Sequence, residues 1–298
     1  MGKKKVSEKL SKAKQIVAEI NREFKKPLLK LASEEHKKER ISFGVDAIDE
    51  FMGGGVVAGN FGVIYGGESV GKSTLALTHV AKAQSLGKIC VYIDLEHSFD
   101  LQRAEALGVN LEELILIEEA DVAEEAMDIV IKLCKAEAID VIVIDSIQAM
   151  SPKQEQETKT GKQRSVEDDE MALLARKLGK FFRVAGTPVH KAKASVLLIG
   201  QVRTSGLGSF ITKDGLSGGH ALKHWSVFTL YMRRGQKADA PTEKYKEEGK
   251  TKYKVVGFDS VIKIEKTKVS DGKPEGSEIH IPFYFEEGYN KKEVVCEE

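Results

Sequence analysis

The stretch Gly66-Gly67-Glu68-Ser69-Val70-Gly71-Lys72-Ser73-Thr74 decides the reading of this chain. It fits the phosphate-binding pattern G-x-x-x-x-G-K-[ST]. The apolar run Phe61 to Tyr65 before it reads as a strand. Apolar residues at helical spacing from Thr74 to Gln84 follow, and Gly87 can end that helix. Strand, glycine loop and helix form the context in which backbone N–H groups and a helix N-terminus face phosphate oxygens. In that context Lys72 reaches the β- and γ-phosphates and Ser73 ligates Mg²⁺.

Outward from the loop, apolar strands alternate with helical segments. Lys88 to Ile93 is a buried strand that runs into Asp94-Leu95-Glu96, and Asp140 to Ile144 is one that runs into Asp145-Ser146. Ala194 to Ile199 is another, followed by Gln201. Residues 101–107 suit a short helix, and Leu114 to Ile117 a strand. Asp121-x-x-Glu124 signals the N-cap of a helix reaching about Ala136. Glu170 to Val184 reads as a helix with a Leu and Phe side. This alternation predicts an α/β fold, a mostly parallel sheet with helices on both faces. Ligands of such sheets sit beyond the carboxyl ends of the strands, where the loop, Glu96, Asp145 and Gln201 all fall.

Each of these residues carries two readings. Asp145 is either a carboxylate holding the Mg²⁺ water shell or a strand cap. Glu96 is either the base that polarises a water beside the γ-phosphate or an ion-paired edge residue. Gln201 is either a γ-phosphate sensor that orders the segment after it or a capping amide.

The remainder is less regular. Ile41 to Phe43 is a candidate edge strand, Val45 to Phe51 a short helix, and Gly53 to Gly55 a turn. Met150 to Asp169 and Val202 to Gly219 read as mobile loops. Residues 151–213 hold twelve Lys and Arg against six Asp and Glu. Lys153, Arg164, Arg176, Arg183 and Arg203 suit a phosphodiester backbone, and Leu207 and Phe210 suit wedges between bases. A solvated charged face is the other reading. Trp225 to Met232 reads as a strand, residues 235–250 as a surface loop. Tyr253 to Phe258, Ser260 to Lys266 and Glu278 to Phe285 read as a sheet extension.

The chain of 298 residues is 41% hydrophobic, with 46 basic and 46 acidic residues. Its neutrality excludes nucleic-acid binding by bulk charge and leaves only local patches. Cys90, Cys134 and Cys296 form neither a zinc spacing nor a disulfide framework, which fits a reducing compartment. No signal peptide or membrane-length apolar run is present, so a cytoplasmic protein is expected. Residues 1–40 are basic, with 13 Lys and Arg against 6 Glu. Leu10, Ala13, Val17, Ile20 and Phe24 form one helical stripe, and Pro27 stops it. The stripe needs a partner: another copy, its own core, or a membrane or DNA surface.

Together these segments resemble the bacterial RecA recombinase family. The phosphate loop, Tyr92 to Asp100, Asp140 to Ser146 with Ser151-Pro152-Lys153, Ile199 to Arg203, and Gly218 to Lys223 carry the resemblance, from about residue 8 to 290. It implies a RecA-type P-loop NTPase core over 41–290, with DNA-binding loops near 151–170 and 202–219. It implies an N-terminal segment, 1–40, that docks on a neighbouring subunit, and an acidic tail, 291–298.

The implied activity is DNA-dependent ATP hydrolysis, filament formation on single-stranded DNA, and pairing and exchange with homologous duplex. Single-strand-binding and loader proteins are further implied partners. Glu96 matches the catalytic glutamate and Gln201 the switch glutamine. Lys266 and Lys268 match lysines that reach a neighbour's phosphates, and Asp100 matches an adenine contact.

Three departures stand out: Arg103 replaces an aromatic that stacks near adenine, His220 replaces an asparagine, and the 151–170 loop is longer. The chain ends soon after Tyr289, so the family's C-terminal domain is expected to be absent. The rivals are a regulatory paralogue that binds DNA and ATP without exchange, and a helicase or translocase on the same core. A purely structural filament is disfavoured by the complete nucleotide motif.

Overall fold

The computed structural model describes residues 2–30, 32, 38–120, 122–150, 171–204, 214–216, 219–247 and 250–289. The chain divides into two units, Met1–Glu39 and Arg40–Glu298.

The first unit is built on α1 (Gly2–Glu23). The helix ends before Pro27, where Lys25 turns left-handed at φ 52°. Asn21 then clasps the outgoing chain: its amide donates to Leu29 O (2.7 Å), and Leu29 N donates to its side-chain oxygen (2.8 Å). Leu10 and Phe24 of the apolar stripe are exposed.

The second unit opens with β1 (Arg40–Ile41), α2 (Asp46–Met52) and β2 (Val56–Val57). β1 and β2 pair with each other, not with the main sheet. The expected edge strand over 41–43 is therefore part of a separate ribbon, with Phe43 buried below it. Gly53, Gly54 and Gly55, all at positive φ, turn the chain as expected.

The main sheet comprises β3 (Phe61–Gly66), β4 (Cys90–Asp94), β5 (Leu114–Ile117), β6 (Val141–Asp145), β7 (Ser195–Thr204), β9 (Phe228–Arg234), β12 (Gly257–Thr267) and β13 (Glu278–Tyr284). Their order is β13-β12-β9-β3-β7-β6-β4-β5. From β9 to β5 all pairs are parallel, and β12 and β13 extend the sheet antiparallel. This is the mostly parallel α/β architecture that the alternation predicts, and it agrees with the core that the family resemblance implies.

Every residue of β3, β4 and β6 is buried, so both faces are covered. Successive side chains alternate between two cores. Ile64, Tyr92, Val143 and Leu197 face α2 and α3 (Lys72–Ser85). Val63, Ile93, Ile144 and Leu198 face α5 (Ala123–Ala136) and α6 (Met171–Ala192). Phe61 anchors the second core, edge-on to Phe182 with ring centroids 4.9 Å apart.

Several boundaries differ from expectation. The α5 N-cap is Val122, which makes no side-chain cap bond. α6 runs on to Ala192 through Pro188, because Val189 still adds to the buried face. β7 continues through Gln201, and β8 (Asp214–Leu216) returns along it, with Val202 opposite Leu216. The ends of the expected loop are thus a ladder. Trp225 ends the short helix α7 (Gly219–Trp225) instead of starting a strand. Residues 235–250 do not form a loop throughout. β10 (Thr242–Glu247) and β11 (Lys250–Val255) make a separate antiparallel hairpin, which period-2 Lys and Tyr residues support. No helix of the described residues is long and apolar enough to cross a membrane.

Candidate nucleotide site

The carboxyl ends of β3, β4, β6 and β7 converge at one sheet edge. The register pairs Gly66 with Gln201 and Asp94 with Asp145. β3 leads through residues 67–71 straight into α3, which starts at Lys72. Ser69 (φ 53°) and Gly71 (φ 91°) make the loop's left-handed turns. At Gly66 a Cβ would meet Met232 O at 2.1 Å, so the strand end admits only glycine.

Lys72 is buried and folds back onto the loop, donating to Gly66 O (3.3 Å) and Gly67 O. Burial lowers its pKa, and the charges of Asp145, Glu96 and Glu68 oppose that. Loop residues Glu68, Ser69 and Ser73 are exposed, and Val70 is buried.

Asp145 ends β6 and is almost fully buried. Burial raises its pKa, while hydrogen bonds from Ser73 and Tyr92 pull it down. Tyr92 Oη donates to Asp145 Oδ2 at 2.7 Å. The hydroxyl of Ser73 beside a carboxylate is an oxygen set that could hold Mg²⁺ together with phosphate oxygens. Among the described residues no cluster of three His, Cys, Asp or Glu offers a self-contained metal site. The Ser73 hydroxyl and the Asp145 carboxylate are hard oxygen donors, a set whose chemistry fits Mg²⁺.

Glu96 lies just past β4. Its Oε1 accepts from Ser146 Oγ and from Gln201 Nε2 (3.1 Å). Gln148 Nε2 in turn donates to Gln201 O (3.2 Å), while its own Oε1 is buried without a partner. A carboxylate after β4, an amide on β7 and Gln148, in the turn after β6, are thus joined by direct contacts.

Asp94, two positions before Glu96, is buried where Glu96 is exposed. Its carboxylate accepts the N–H groups of Glu96 (3.0 Å), Ser98 (2.6 Å) and Phe99 (2.7 Å) and shapes the turn that presents Glu96.

Asp100 caps α4 (Leu101–Ala106), accepting from Arg103 N at 3.0 Å. The Arg103 guanidinium donates to Glu286 O. Thr74 starts the side of α3 against Gly288: a Cβ at 288 would lie 2.9 Å from Thr74 Cγ2 and 3.6 Å from Arg103 Nη2.

Lys266 and Lys268 are not brought to this edge. Lys266 is opposite Thr229, near the start of β9, whereas Gly66 is level with Met232. Three residues of strand are roughly 10 Å. The two lysines cap the C-terminal carbonyls of α7. Lys266 Nζ donates to Lys223 O, His224 O (3.3 Å) and Ser226 O (2.8 Å), and Lys268 Nζ donates to His224 O (2.9 Å). Burial, then the Lys268 charge, lowers the Lys266 pKa to about 8.

Of the expected DNA contacts, Arg176 and Arg183 are exposed on α6, seven residues or roughly 10 Å apart. Arg203 lies in β7. Lys153, Arg164, Leu207 and Phe210 lie outside the described residues, as do Cys296 and the 291–298 tail. Cys90 and Cys134 are buried, with pKa values raised by burial to about 12 and about 11, and are inert thiols.

Tyr92, Ser146 and Gln148 are site residues that the motif reading does not find. Tyr92 alone had a signal: a phenol in a fully apolar strand needs a buried acceptor.

The RecA N-terminal domain family matches residues 11–288. The chain is 35% identical over 277 residues to Protein RecA of Colwellia psychrerythraea, covering 92% of this chain and 74% of that protein. It is 34% identical over 279 residues to Protein RecA of Agrobacterium fabrum, covering 92% and 71%. It is 38% identical over 222 residues to Protein RecA of Nitratiruptor sp., covering 73% and 62%. The family match spans nearly all of the chain, including the sheet edge described above, and the chain belongs to the RecA family.

Proposed function

We propose that this protein is an ATP-driven DNA-binding protein of the RecA type, working on single-stranded DNA in the cytoplasm. The observation that carries the reading is the contact of Gln201 Nε2 with Glu96 Oε1 at 3.1 Å. It ties a carboxylate suited to water activation to the strand that leads into the 202–219 segment.

In this reading Lys72 exchanges its loop carbonyls for the β- and γ-phosphates. Ser73 and Asp145 would hold Mg²⁺, which would supply charge neutralisation at the phosphate oxygens. Glu96 accepts the proton of the attacking water. Gln201 must choose between Glu96 and the γ-phosphate, so its strand differs between ATP and ADP states. Asp100 and Arg103 flank the adenine, with the Arg103 guanidinium plane available for stacking. Lys266 and Lys268, away from their own loop, serve the site of a second copy in a filament. Lys153, Arg164, Arg176, Arg183, Arg203 and Phe210 supply backbone contacts and stacking for DNA.

Nucleotide-gated DNA binding without strand exchange is what the matched core supports most directly. Homologous pairing and strand exchange is the fuller reading, since the chain matches 62–74% of the length of these three relatives. One experiment separates the two. Circular single-stranded DNA and homologous linear duplex are incubated with ATP, Mg²⁺ and either wild type or Lys72→Ala. Joint molecules that need homology, ATP and Lys72 establish the recombinase. DNA-stimulated ATP hydrolysis without joint molecules establishes the regulatory or motor form. Absence of both overturns the proposal.

A further inference from the structure

The phosphate loop is gripped from outside its own strand–helix unit. The carbonyl oxygen of Ser69 accepts two hydrogen bonds from one guanidinium, Arg234 Nε at 3.1 Å and Nη2 at 2.7 Å. Arg234 is the last residue of β9, the strand beside β3. Its guanidinium carbon lies 4.5 Å from the centroid of the Phe258 ring. Phe258 stacks on Phe283 at 4.5 Å, and Phe283 meets Tyr289 edge-on at 5.1 Å. The same aromatic wall backs Gly71, where a Cβ would come within 2.8 Å of Tyr289 Oη. Arg233, next along the chain, pairs instead with Glu278 at 3.0 Å.

We infer that Arg234 is a positioning residue for nucleotide binding, acting through the Ser69 carbonyl. Ser69 C=O and Val70 N–H belong to one planar trans peptide and point in opposite directions. Two donors on the oxygen fix that plane, and the cation–π contact fixes the guanidinium. Val70 N–H is then aimed before a phosphate arrives, which removes part of the ordering cost of binding. The inference rests on the loop being the nucleotide site, as proposed above.

The test uses the full-length chain. Equilibrium binding of a fluorescent ATP analogue with Mg²⁺ is measured for wild type, Arg234→Gln, Arg234→Lys and Arg233→Gln. KM and kcat for ATP with single-stranded DNA, and Tm, are measured alongside. Arg234→Gln should weaken Kd and raise KM about 5- to 20-fold, the scale of one or two lost hydrogen bonds. Its kcat at saturation should stay within about twofold and its Tm should barely move, because the side chain is exposed. Arg234→Lys should recover only part of the affinity, since an ammonium cannot hold the carbonyl as a fork. Arg233→Gln removes the same charge without touching the loop and should bind like wild type.

Wild-type affinity in Arg234→Gln overturns the inference. So does full rescue by lysine, or an equal loss in Arg233→Gln, either of which would make the effect one of charge alone. If wild type itself binds no nucleotide, the reading of the site falls and the inference falls with it; the first three outcomes leave that reading standing.

Discussion

Glu96 is exposed to solvent yet fixed by two neutral donors, Ser146 and Gln201. An amide at the same position still offers an oxygen to both, so Glu96→Gln conserves shape and removes only basicity. ATP hydrolysis with single-stranded DNA should fall about 10²- to 10⁴-fold, while ATP-dependent DNA retention on a filter should persist. Full hydrolysis by the variant would remove Glu96 from the base role. The spacing of motifs made Lys72, Ser73, Asp145, Glu96 and Gln201 legible, because strand ends and glycine loops are sequence-local. Tyr92 and Arg234 were not, because their partners Asp145 and Ser69 are 53 and 165 residues away. His79 is a third such residue, fully buried, with Nδ1 donating to Ser42 O at 2.8 Å and Nε2 unpartnered. Burial lowers its pKa from 6.5 to about 4. Between those values the unfolded chain binds a proton that the native state does not, so stability falls as pH falls. The loss is roughly 1.4 kcal/mol per pH unit, about 3 kcal/mol in all, and levels off below pH 4. Denaturant titrations from pH 7 to 4 should show this slope in wild type and its absence in His79→Asn.

At the level of elements, helices and parallel strands were readable from apolar period, and the errors share one cause. The sequence over 235–255 is hydrophilic, so it gives no buried period, yet its strands pair with each other from Thr242 opposite Val255 to Glu247 opposite Lys250. β8 was missed because only three residues pair, and β2 because it is a two-residue strand whose partner β1 is equally short. The glycines of β3 separate fold from function within one element. A Cβ on Gly62 would lie 2.2 Å from Phe228 Cζ, and Phe228 is fully buried. Gly62→Ala should therefore destabilise by about 1–3 kcal/mol or fail to fold, read as a lower urea midpoint with unchanged slope. A Cβ on Gly67 meets nothing closer than Val70 Cγ1 at 3.8 Å. Gly67→Ala should keep the wild-type midpoint and lose affinity for ATP, because the open space beside it is, in the proposed reading, where phosphates sit. Equal midpoints for both variants would contradict the packing described for β3 and β9.

For the whole molecule, charge is distributed more tellingly than it is summed. The chain is neutral overall, but residues 1–40 hold an excess of seven positive charges, 13 basic against 6 acidic. This segment forms its own unit, Met1–Glu39, in which Val6, Leu10 and Ile16 of the helix and Phe24 just after it are at least half exposed. An apolar stripe on a basic helix has a driving force for association of about 25 cal/mol per Å² buried, and in a filament each copy can supply it to the next. Leu10→Asp combined with Ile20→Asp should therefore abolish cooperative assembly on single-stranded DNA in ATP, seen by sedimentation and electron microscopy. Nucleotide affinity should stay within about twofold, since the phosphate loop belongs to the Arg40–Glu298 unit, and the Tm should stay near wild type because neither residue is in either core. A lower Tm would mean that the stripe packs on its own chain, and unchanged assembly would leave subunit contact to the Arg40–Glu298 unit alone.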